Sequence, residues 1–393
     1  MDRPYYVTWA TQSSADTLPL ERSEGVELVL ADGRRVYDMV STTFHAAFGH
    51  SDRPIADAIT RQLSTLPIAS PKAIIALKDR TTRRLCRLLR LEGGKVFYTV
   101  SGAEAIENAL KMARQMTGRK LVLARRRSYH GATLGALSVT GDWRSADHFS
   151  VGDWTVRIPE PQEDPTLEQT RSIIERTGPG RIAAFVLETI TGMNGVIVPD
   201  PTWWTGIQGL ARQFDLLLIV DEVSCGFGRT GLPFAFHHYD IAPDFVCLAK
   251  AITGGYVPFG ALWTHRKVAE YYENRVLSCG LTGYAHPLGL AALGAVLDRF
   301  EDRSFLDGLK TLQDSFASEL ESIGRLRSVR EIRAKGLLAA IELTPGTTLT
   351  WRAGIDAGLH LAVKEQMVIL APPLVMTPEQ LSEAMGRLRT VIG

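Results

Sequence analysis

An acid and a lysine in the middle of the chain each adjoin an apolar stretch. Asp221 ends the run at residues 216–220, and Lys250 lies in the small, apolar sequence 247–255. A carboxylate at the tip of a buried strand needs a cationic or hydrogen-bonding partner, and a lysine in apolar surroundings loses part of its preference for the charged form. Pyridoxal phosphate chemistry requires both groups, an amine that bonds the cofactor and a carboxylate that keeps the pyridine nitrogen protonated. On its own, the pair does not distinguish this chemistry from two unrelated residues, an acid at a strand end and a lysine on the surface.

The size and composition of the chain limit the classes of function. Its 393 residues exceed the usual size of one compact core, so a large domain and a smaller one are expected. Hydrophobic residues make up 45% and charged residues 22%, as in ordinary soluble proteins. A formal net charge of +1 argues against nucleic acid or an acidic membrane surface as the main partner.

The N-terminus and the cysteines bear on location. Residues 1–6 do not form a charged segment followed by an apolar one, and no apolar run reaches about 18 residues, so we expect neither a signal peptide nor a membrane span. The four cysteines are far apart and have no metal-ligand spacing. This pattern predicts reduced thiols, no metal site and a cytoplasmic protein.

Short β-rich runs alternate with helical stretches through the middle of the chain. We predict strands at 95–98, 120–123, 182–187, 216–220, 245–248 and 260–263. Strands that alternate with helices predict an α/β fold with a mostly parallel sheet covered on both faces. Such sheets bind ligands at the carboxyl ends of their strands.

Patterns at the two ends of the chain predict a second, smaller domain. Residues 26–40 alternate in polarity around the turn signal Asp32-Gly33, which predicts a hairpin. A helix is expected from 287 to 300, followed by a mixed tail that ends in a helix. We therefore predict a small domain from residues 1–45 and 287–393 and a large domain from residues 46–286, with helices in the latter at 54–64, 75–89 and 103–116.

Two short motifs follow predicted strands. Ser101, Gly102 and Ala103 lie between a strand and a helix, where a hydroxyl and free backbone N–H groups could bind an anion. Tyr129, followed by His130 and a glycine, comes after the next strand, where an aromatic ring could lie flat on a planar cofactor. The simpler interpretations are helix capping and an aromatic packed in a turn.

A glycine-rich stretch at residues 226–231 matches the pattern GxGxxG of dinucleotide-binding folds. That pattern requires a tight turn that leads directly from a strand into a helix. Here four residues separate Asp221 from Gly226, and Leu232-Pro233-Phe234 follows, which is not a helix start. We therefore do not predict a nicotinamide-binding site.

In combination, these segments resemble the class III (omega) aminotransferases, pyridoxal-phosphate enzymes of fold type I. The resemblance covers nearly the whole chain and implies an α/β large domain with a mostly parallel, seven-stranded sheet and a smaller α+β domain. It rests on the order and spacing of Gly49-His50, Ser101 to Ala105, Tyr129 to Gly131, Asp221 to Val223, Gly226 to Gly231, Lys250, Thr282, His286-Pro287, Arg333 to Gly336 and Ala371 to Leu374.

The resemblance implies a role for each matching residue. Lys250 would bond the cofactor and Asp221 would hold the pyridine nitrogen, so these two would be catalytic. Thr282 resembles the residue that reaches the cofactor phosphate of the neighbouring subunit, which implies a homodimer with shared active sites. The other implied cofactor contacts are Ser101, Gly102 and Ala103 at the phosphate, Tyr129 and Val223 on the two ring faces, and His130 and Glu188.

Two departures from the family pattern concern the substrate. Met193 and Ile369 replace a glutamate–arginine pair found in some branches, and residues 362–365 lack the arginine of others. Without an arginine clamp for a nearby carboxylate, we expect a primary amine or omega-amino donor and a 2-oxo acid or aldehyde acceptor. Candidate substrate contacts are Phe44, His45, Met193, Arg229, His360, Lys364 and Ile369.

Two other functions stay open from the sequence. A pyridoxal-phosphate racemase or epimerase on the same scaffold would need the same lysine. A non-catalytic binding or regulatory protein could keep the fold, although intact Lys250, Asp221 and Thr282 count against it.

Overall fold

Fifteen strands form three sheets in a computed structural model that describes residues 4–146, 148 and 153–393. The strands are β1 (Leu20–Glu24), β2 (Glu27–Leu30), β3 (Arg35–Asp38), β4 (Lys95–Thr99), β5 (Leu121–Arg125), β6 (Thr155–Ile158), β7 (Ile182–Glu188), β8 (Leu217–Asp221), β9 (Phe245–Leu248), β10 (Gly260–Thr264), β11 (Val329–Lys335), β12 (Leu338–Leu343), β13 (Leu359–His360), β14 (Ala362–Lys364) and β15 (Met367–Leu370). The right-handed α-helices are Arg53–Thr65, Ala76–Leu89, Gly102–Thr117, Leu134–Val139, Glu168–Thr177, Pro201–Gln213, Arg266–Tyr271, Pro287–Glu301, Arg303–Gly324, Trp351–Asp356 and Pro378–Ile392.

The large sheet has seven strands in the order β4-β10-β9-β8-β7-β5-β6. Strands β6, β5, β7, β8 and β9 are parallel, and β10 runs antiparallel between β9 and β4. The carboxyl ends of all strands except β10 therefore meet at one edge of the sheet. This architecture confirms the predicted α/β fold class.

Alternation along the strands divides the core into two layers. In β8, Leu218 and Val220 pack on one face, with Trp203 and Trp204 of helix Pro201–Gln213. The neighbouring strand residues pack on the other face against helix Gly102–Thr117. Because successive side chains of a strand point to opposite faces, a strand covered on both sides must be apolar throughout, as the run at 216–220 is.

The six predicted strands of the large sheet are present within two residues at each end, and the four predicted helices within one residue. The hairpin predicted around Asp32-Gly33 forms from β2 and β3. Elements of the described residues that were not predicted include strands β1 and β6 and helices Leu134–Val139, Pro201–Gln213 and Arg266–Tyr271.

The two ends of the chain share a sheet. Strand β3 pairs in parallel with β13, which joins the N-terminal hairpin to the C-terminal part of the chain. Strands β11, β12, β15 and β14 form a separate antiparallel sheet. Helix Pro287–Glu301 packs on helices Arg53–Thr65 and Ala76–Leu89, and the division at 45/46 and 286/287 stays a prediction.

A left-handed turn follows β3. Four successive residues have positive φ: Ser41 at 45°, Thr42 at 44°, Thr43 at 61° and Phe44 at 70°. This conformation costs about 1–2 kcal/mol per residue for L-amino acids, so tertiary contacts must hold it. The Ser41 hydroxyl donates to the carbonyl of Ala371 at 2.6 Å, and the Thr42 hydroxyl donates to Asp38 at 2.7 Å.

None of the helices formed by the described residues has the length and apolarity needed to cross a bilayer.

Candidate active site

The carboxyl edge of the large sheet borders a cavity of about 480 Å³. Loops after β4, β5, β8 and β9 contribute most of its wall, so residues far apart in the chain meet there. Nine residues predicted for cofactor or substrate line it: His45, Ser101, Gly102, Ala103, Tyr129, His130, Asp221, Val223 and Lys250.

Lys250 begins a short 3-10 helix just beyond β9, in a left-handed backbone conformation with φ of 51°. Its amine donates a hydrogen bond to the Ser224 hydroxyl at 2.7 Å and lies 4.8 Å from the centre of the Phe44 ring. Burial lowers the pKa of the Lys250 amine to about 8, and the nearby Asp221 carboxylate partly opposes that shift. A substantial fraction of the amine is therefore neutral near physiological pH.

Asp221 is the last residue of β8, and only 4% of it is exposed. One carboxylate oxygen accepts the backbone N–H of Val223 at 3.0 Å, and the other lies 2.8 Å from Nδ1 of His130. Since a carboxylate only accepts hydrogen bonds, Nδ1 of His130 carries the proton. The buried Nε2 of His130 has no partner within the described residues.

The helix Gly102–Thr117 starts at the cavity wall. The Ser101 hydroxyl caps it by accepting the backbone N–H of Glu104 at 3.2 Å, which leaves the N–H groups of Gly102 and Ala103 without intrahelical partners. A Cβ added at Gly102 would lie 2.9 Å from both methyl groups of Val223. Glycine at position 102 therefore lets the helix start pack this closely against Val223.

Glu188 holds Tyr129 in place from beneath the cavity. Its two carboxylate oxygens accept the backbone N–H groups of Tyr129 and Gly192, each at 3.0 Å. Burial raises the pKa of Glu188, and the neighbouring His130 opposes the shift. Glu188 does not line the cavity, so its geometry favours a contact through Tyr129 over a direct contact with the cofactor.

The cavity fits pyridoxal phosphate by the chemistry of its groups. Free backbone N–H groups at a helix start suit a phosphate, and the amine of Lys250 and the carboxylate of Asp221 suit the aldehyde and the ring nitrogen. The unpaired Nε2 of His130 also leaves the wall with an unused hydrogen-bonding position.

Four predicted substrate residues, Phe44, Met193, Arg229 and Ile369, do not line the cavity. Arg229 is buried, and its guanidinium donates to the carbonyls of Leu337 and Pro372 and to the Ser41 hydroxyl. These partners hold the guanidinium away from the cavity, so the structure does not bring Arg229 to the predicted substrate site, and its contact with substrate stays a prediction. Ile369 is fully buried in an apolar cluster with Phe44, and Met193 packs against that cluster, so neither lines the cavity.

The other predicted residues also lie outside the cavity. His360 is bound to Asp38 at 3.0 Å. Thr282 is exposed and does not line its own chain's cavity. Lys364 lines a second cavity of about 510 Å³, here called the outer cavity, together with Arg126, Arg127, Gly141, Asp142, Trp143, Asn194, Glu365 and Met367.

Sequence reasoning missed two contacts of the site. Ser224 lies three residues after Asp221, but nothing in its type predicts a hydrogen bond to Lys250. Arg144 lies over the Tyr129 ring at 4.7 Å, and only its place after the Tyr129 motif could have suggested a role. Among the described residues, no group of histidines, cysteines and acids is arranged to hold a metal ion.

Comparisons with known proteins agree with this geometry. The family model of the class III aminotransferases matches residues 9–392. The chain is 34% identical to the acetylornithine aminotransferase of Streptomyces coelicolor, over 95% of this chain and 91% of that protein. It is 28% identical to the mitochondrial gamma aminobutyrate transaminase 1 of Solanum lycopersicum, over 97% of this chain and 82% of the relative.

A solved structure is also similar over nearly its whole length. The taurine:2-oxoglutarate aminotransferase from Bifidobacterium kashiwanohense, in complex with PLP and glutamate, has a TM-score of 0.93 and 30% sequence identity, covering 98% of this chain and 94% of that one. These relatives are all aminotransferases and give no support to the racemase alternative. The chain belongs to the class III aminotransferases and is a pyridoxal-phosphate-dependent aminotransferase.

Proposed function

We propose that the cavity at the carboxyl edge binds pyridoxal phosphate between Tyr129 and Val223 and transfers an amino group from a primary amine or omega-amino donor to a 2-oxo acid or aldehyde. The observation that carries this proposal is that the Lys250 amine, the Asp221 carboxylate and the start of helix Gly102–Thr117 border one cavity. When bound, the cofactor supplies a ring that accepts electron density from the reacting carbon of the substrate.

Lys250 has the properties of the proton carrier. A pKa of about 8 lets the free amine take a proton from the substrate carbon and return it at a neighbouring atom. The Ser224 hydroxyl, 2.7 Å away, fixes the direction of the amine. Asp221 would keep the ring nitrogen of the bound cofactor protonated, and the His130 N–H on its second oxygen holds the carboxylate in place.

The distribution of cations supports a donor whose acidic group, if it has one, is far from the amine. Lys250 is the only lysine or arginine among the residues that line the described part of the cavity. A donor carboxylate next to the reacting carbon would be desolvated there without a guanidinium partner. A 2-oxo acid acceptor carries such a carboxylate too, so its partner must come from outside these lining residues. Arg126, Arg127 and Lys364 line the outer cavity instead, where a distant carboxylate or sulfonate could find a cation.

The segment 192–195 has glycines near residues of both cavities. A Cβ added at Gly192 would lie 3.0 Å from the Ser224 side chain, whereas one added at Gly195 would lie 2.7 Å from the Arg127 guanidinium. A substrate that extends along this segment would reach from Lys250 toward Lys364. Two of the relatives are named after donors of this kind, taurine and gamma aminobutyrate.

A donor screen tests the substrate proposal. The cofactor-loaded enzyme is mixed with taurine, 4-aminobutyrate, a simple amine, alanine or glycine, and the change in cofactor absorbance is followed in a single turnover. We expect faster half-reactions with the first three. Faster reaction with alanine and glycine would contradict the proposal, and Lys364→Ala should slow only those donors that carry a distant acid.

A homodimer is the second part of the proposal. Thr282 is exposed, and several large apolar side chains are exposed as well: Leu63, Leu66, Ile68, Ile74, Val276 and Leu277. Exposed apolar side chains that form one contiguous patch are typical of a protein interface, and we infer that these six contribute to such a patch. If sites are shared, mixing inactive Lys250→Ala chains with Thr282→Val chains should give heterodimers with one intact site and regain activity. A fully active monomer at high dilution would exclude sharing.

The cytoplasmic location is also a proposal. All four cysteines carry free thiols, and Cys225 and Cys247 are buried, which supports a reducing compartment. Cell fractionation with an antibody to the protein would test it.

A further inference from the structure

Arg144 is a cation beside the active site that no step above uses. Its guanidinium carbon lies 4.7 Å from the centre of the Tyr129 ring, 5.2 Å from that of Trp143 and 5.4 Å from that of Trp9. Only 16% of the Arg144 side chain is exposed, so water weakens the attraction between the cation and the rings little. The cation therefore packs against the ring that lines the cofactor cavity.

The same guanidinium is tied to the support of Tyr129 by a second route. Arg144 pairs with Asp142 at 2.5 Å, and Asp142 also accepts a hydrogen bond from the Asn194 amide at 3.1 Å. Asn194 lies two residues after the backbone N–H that binds one oxygen of Glu188, whose other oxygen accepts the N–H of Tyr129. The backbone and the ring of Tyr129 are thus held by one connected set of contacts.

We propose that Arg144 is a positioning residue that fixes the tilt of the Tyr129 ring and thereby tightens the binding of pyridoxal phosphate. This inference rests on the proposed placement of the cofactor beside Tyr129. The ion pair with Asp142 sets the direction of the guanidinium, and the two tryptophans limit its movement. A ring that is held before binding loses less conformational entropy when a planar group stacks on it.

The test is a titration of the cofactor-free protein with pyridoxal phosphate, followed by cofactor absorbance. Arg144→Ala should raise the Kd about tenfold, and Arg144→Lys, which keeps the charge but loses the planar group, about threefold. Arg171→Ala is the matched control, because the Arg171 guanidinium lies 5.8 Å from the centre of the Phe214 ring and neither residue lines the cavity. The control should leave the Kd unchanged, and thermal unfolding reports whether each variant is folded.

A double-mutant cycle separates this role from general stabilisation. Tyr129→Leu should weaken cofactor binding by itself, and Arg144→Ala should add no more than about a twofold loss in that background. An equal loss with and without the tyrosine ring would overturn the positioning role, as would an unchanged Kd in folded Arg144→Ala. If Arg144→Ala does not fold, Arg144→Lys decides by the same comparison. An unchanged Kd in Tyr129→Leu would overturn the cofactor placement and this inference with it.

Discussion

Asp221 and Glu222 are adjacent carboxylates at the end of one strand, yet they have opposite surroundings. Asp221 borders the cavity and has two protein donors, the N–H of Val223 and Nδ1 of His130. Glu222 is buried on the other side and has four: the Thr189 hydroxyl, the N–H groups of Ala235 and Phe236, and the Cys225 thiol. Burial raises the pKa of Glu222 to about 7 despite these donors.

The two cations of this region differ in the same way. Lys250 borders the cavity and has one protein acceptor, the Ser224 hydroxyl. Arg229 is buried, holds two carbonyls and a hydroxyl, and burial lowers its pKa to about 9. A buried charge whose hydrogen-bonding positions are filled by protein stabilises the fold, whereas one that keeps an open side toward a cavity is available for chemistry.

Removing the cavity-facing cation should have the largest effect. Lys250→Ala should keep the fold, lose the absorbance of the lysine-bound cofactor and lower turnover by at least about 10³-fold, since both bonding and proton transfer depend on this amine. Absorbance and steady-state kinetics measure the two losses. Transamination near the normal rate would remove Lys250 from its proposed role.

Asp221→Asn should have the next largest effect. The neutral amide cannot hold the ring nitrogen protonated, so we expect the rate of proton transfer to fall about 10²- to 10³-fold while cofactor still binds. Asp244→Asn is a matched control, because Asp244 is also a buried acid that contacts β8 but binds the Leu218 N–H far from the cavity. Single-turnover kinetics that are equal in the two variants would contradict the assignment.

Glu222→Gln should affect stability and leave chemistry nearly intact. An amide places an NH₂ group against donors that need an acceptor, so the free energy of unfolding should fall by about 1–3 kcal/mol. Denaturant unfolding measures this loss, and activity per folded molecule should stay within about threefold. A much larger loss of activity in folded protein would contradict the claim that Glu222, unlike Asp221, serves stability and not chemistry.

The pH dependence of cofactor uptake should show the smallest effect. Because burial lowers the pKa of Lys250 below its usual value, the neutral amine appears as pH rises through about 8, and the rate of cofactor uptake should be half-maximal there. Reductive trapping and peptide mapping would identify the labelled lysine. Lys310 is the internal control, since its partner Asp314 raises the pKa of Lys310 and should suppress labelling. A midpoint near the usual pKa of lysine would contradict the burial of the Lys250 amine beside the cavity.

Strands whose residues form an unbroken apolar run could be predicted from the sequence. The buried strands are apolar throughout, so β8 and β9 could be predicted from their apolar runs. Asp221 and Lys250 were then found at or just beyond the ends of these two strands. Strand β1 was not predicted because its residues are mostly exposed and polar. The left-handed turn at 41–44 contains two threonines, which favour extended backbone, so only tertiary contacts explain it.

Partners of charged side chains could not be predicted, because they come from distant segments. The sequence shows that Arg229 is charged but not that carbonyls of residues 337 and 372 occupy it. In the same way, Ser224 and Arg144 meet Lys250 and Tyr129 only after the strands have assembled. The outer cavity likewise depends on the approach of Lys364 to Arg127, which no local pattern specifies.

The left-handed turn at 41–44 also bears on when the site can form during synthesis. The turn carries Phe44 to Lys250, but it is held by the carbonyl of Ala371, 330 positions further along the chain than Ser41. A nascent chain that has already emerged past Lys250 therefore contains both predicted catalytic residues but not the contact that holds Phe44 beside Lys250. We expect the growing chain to take up cofactor only after the segment around Ala371 has left the ribosome, so that loading with cofactor reports synthesis beyond that segment.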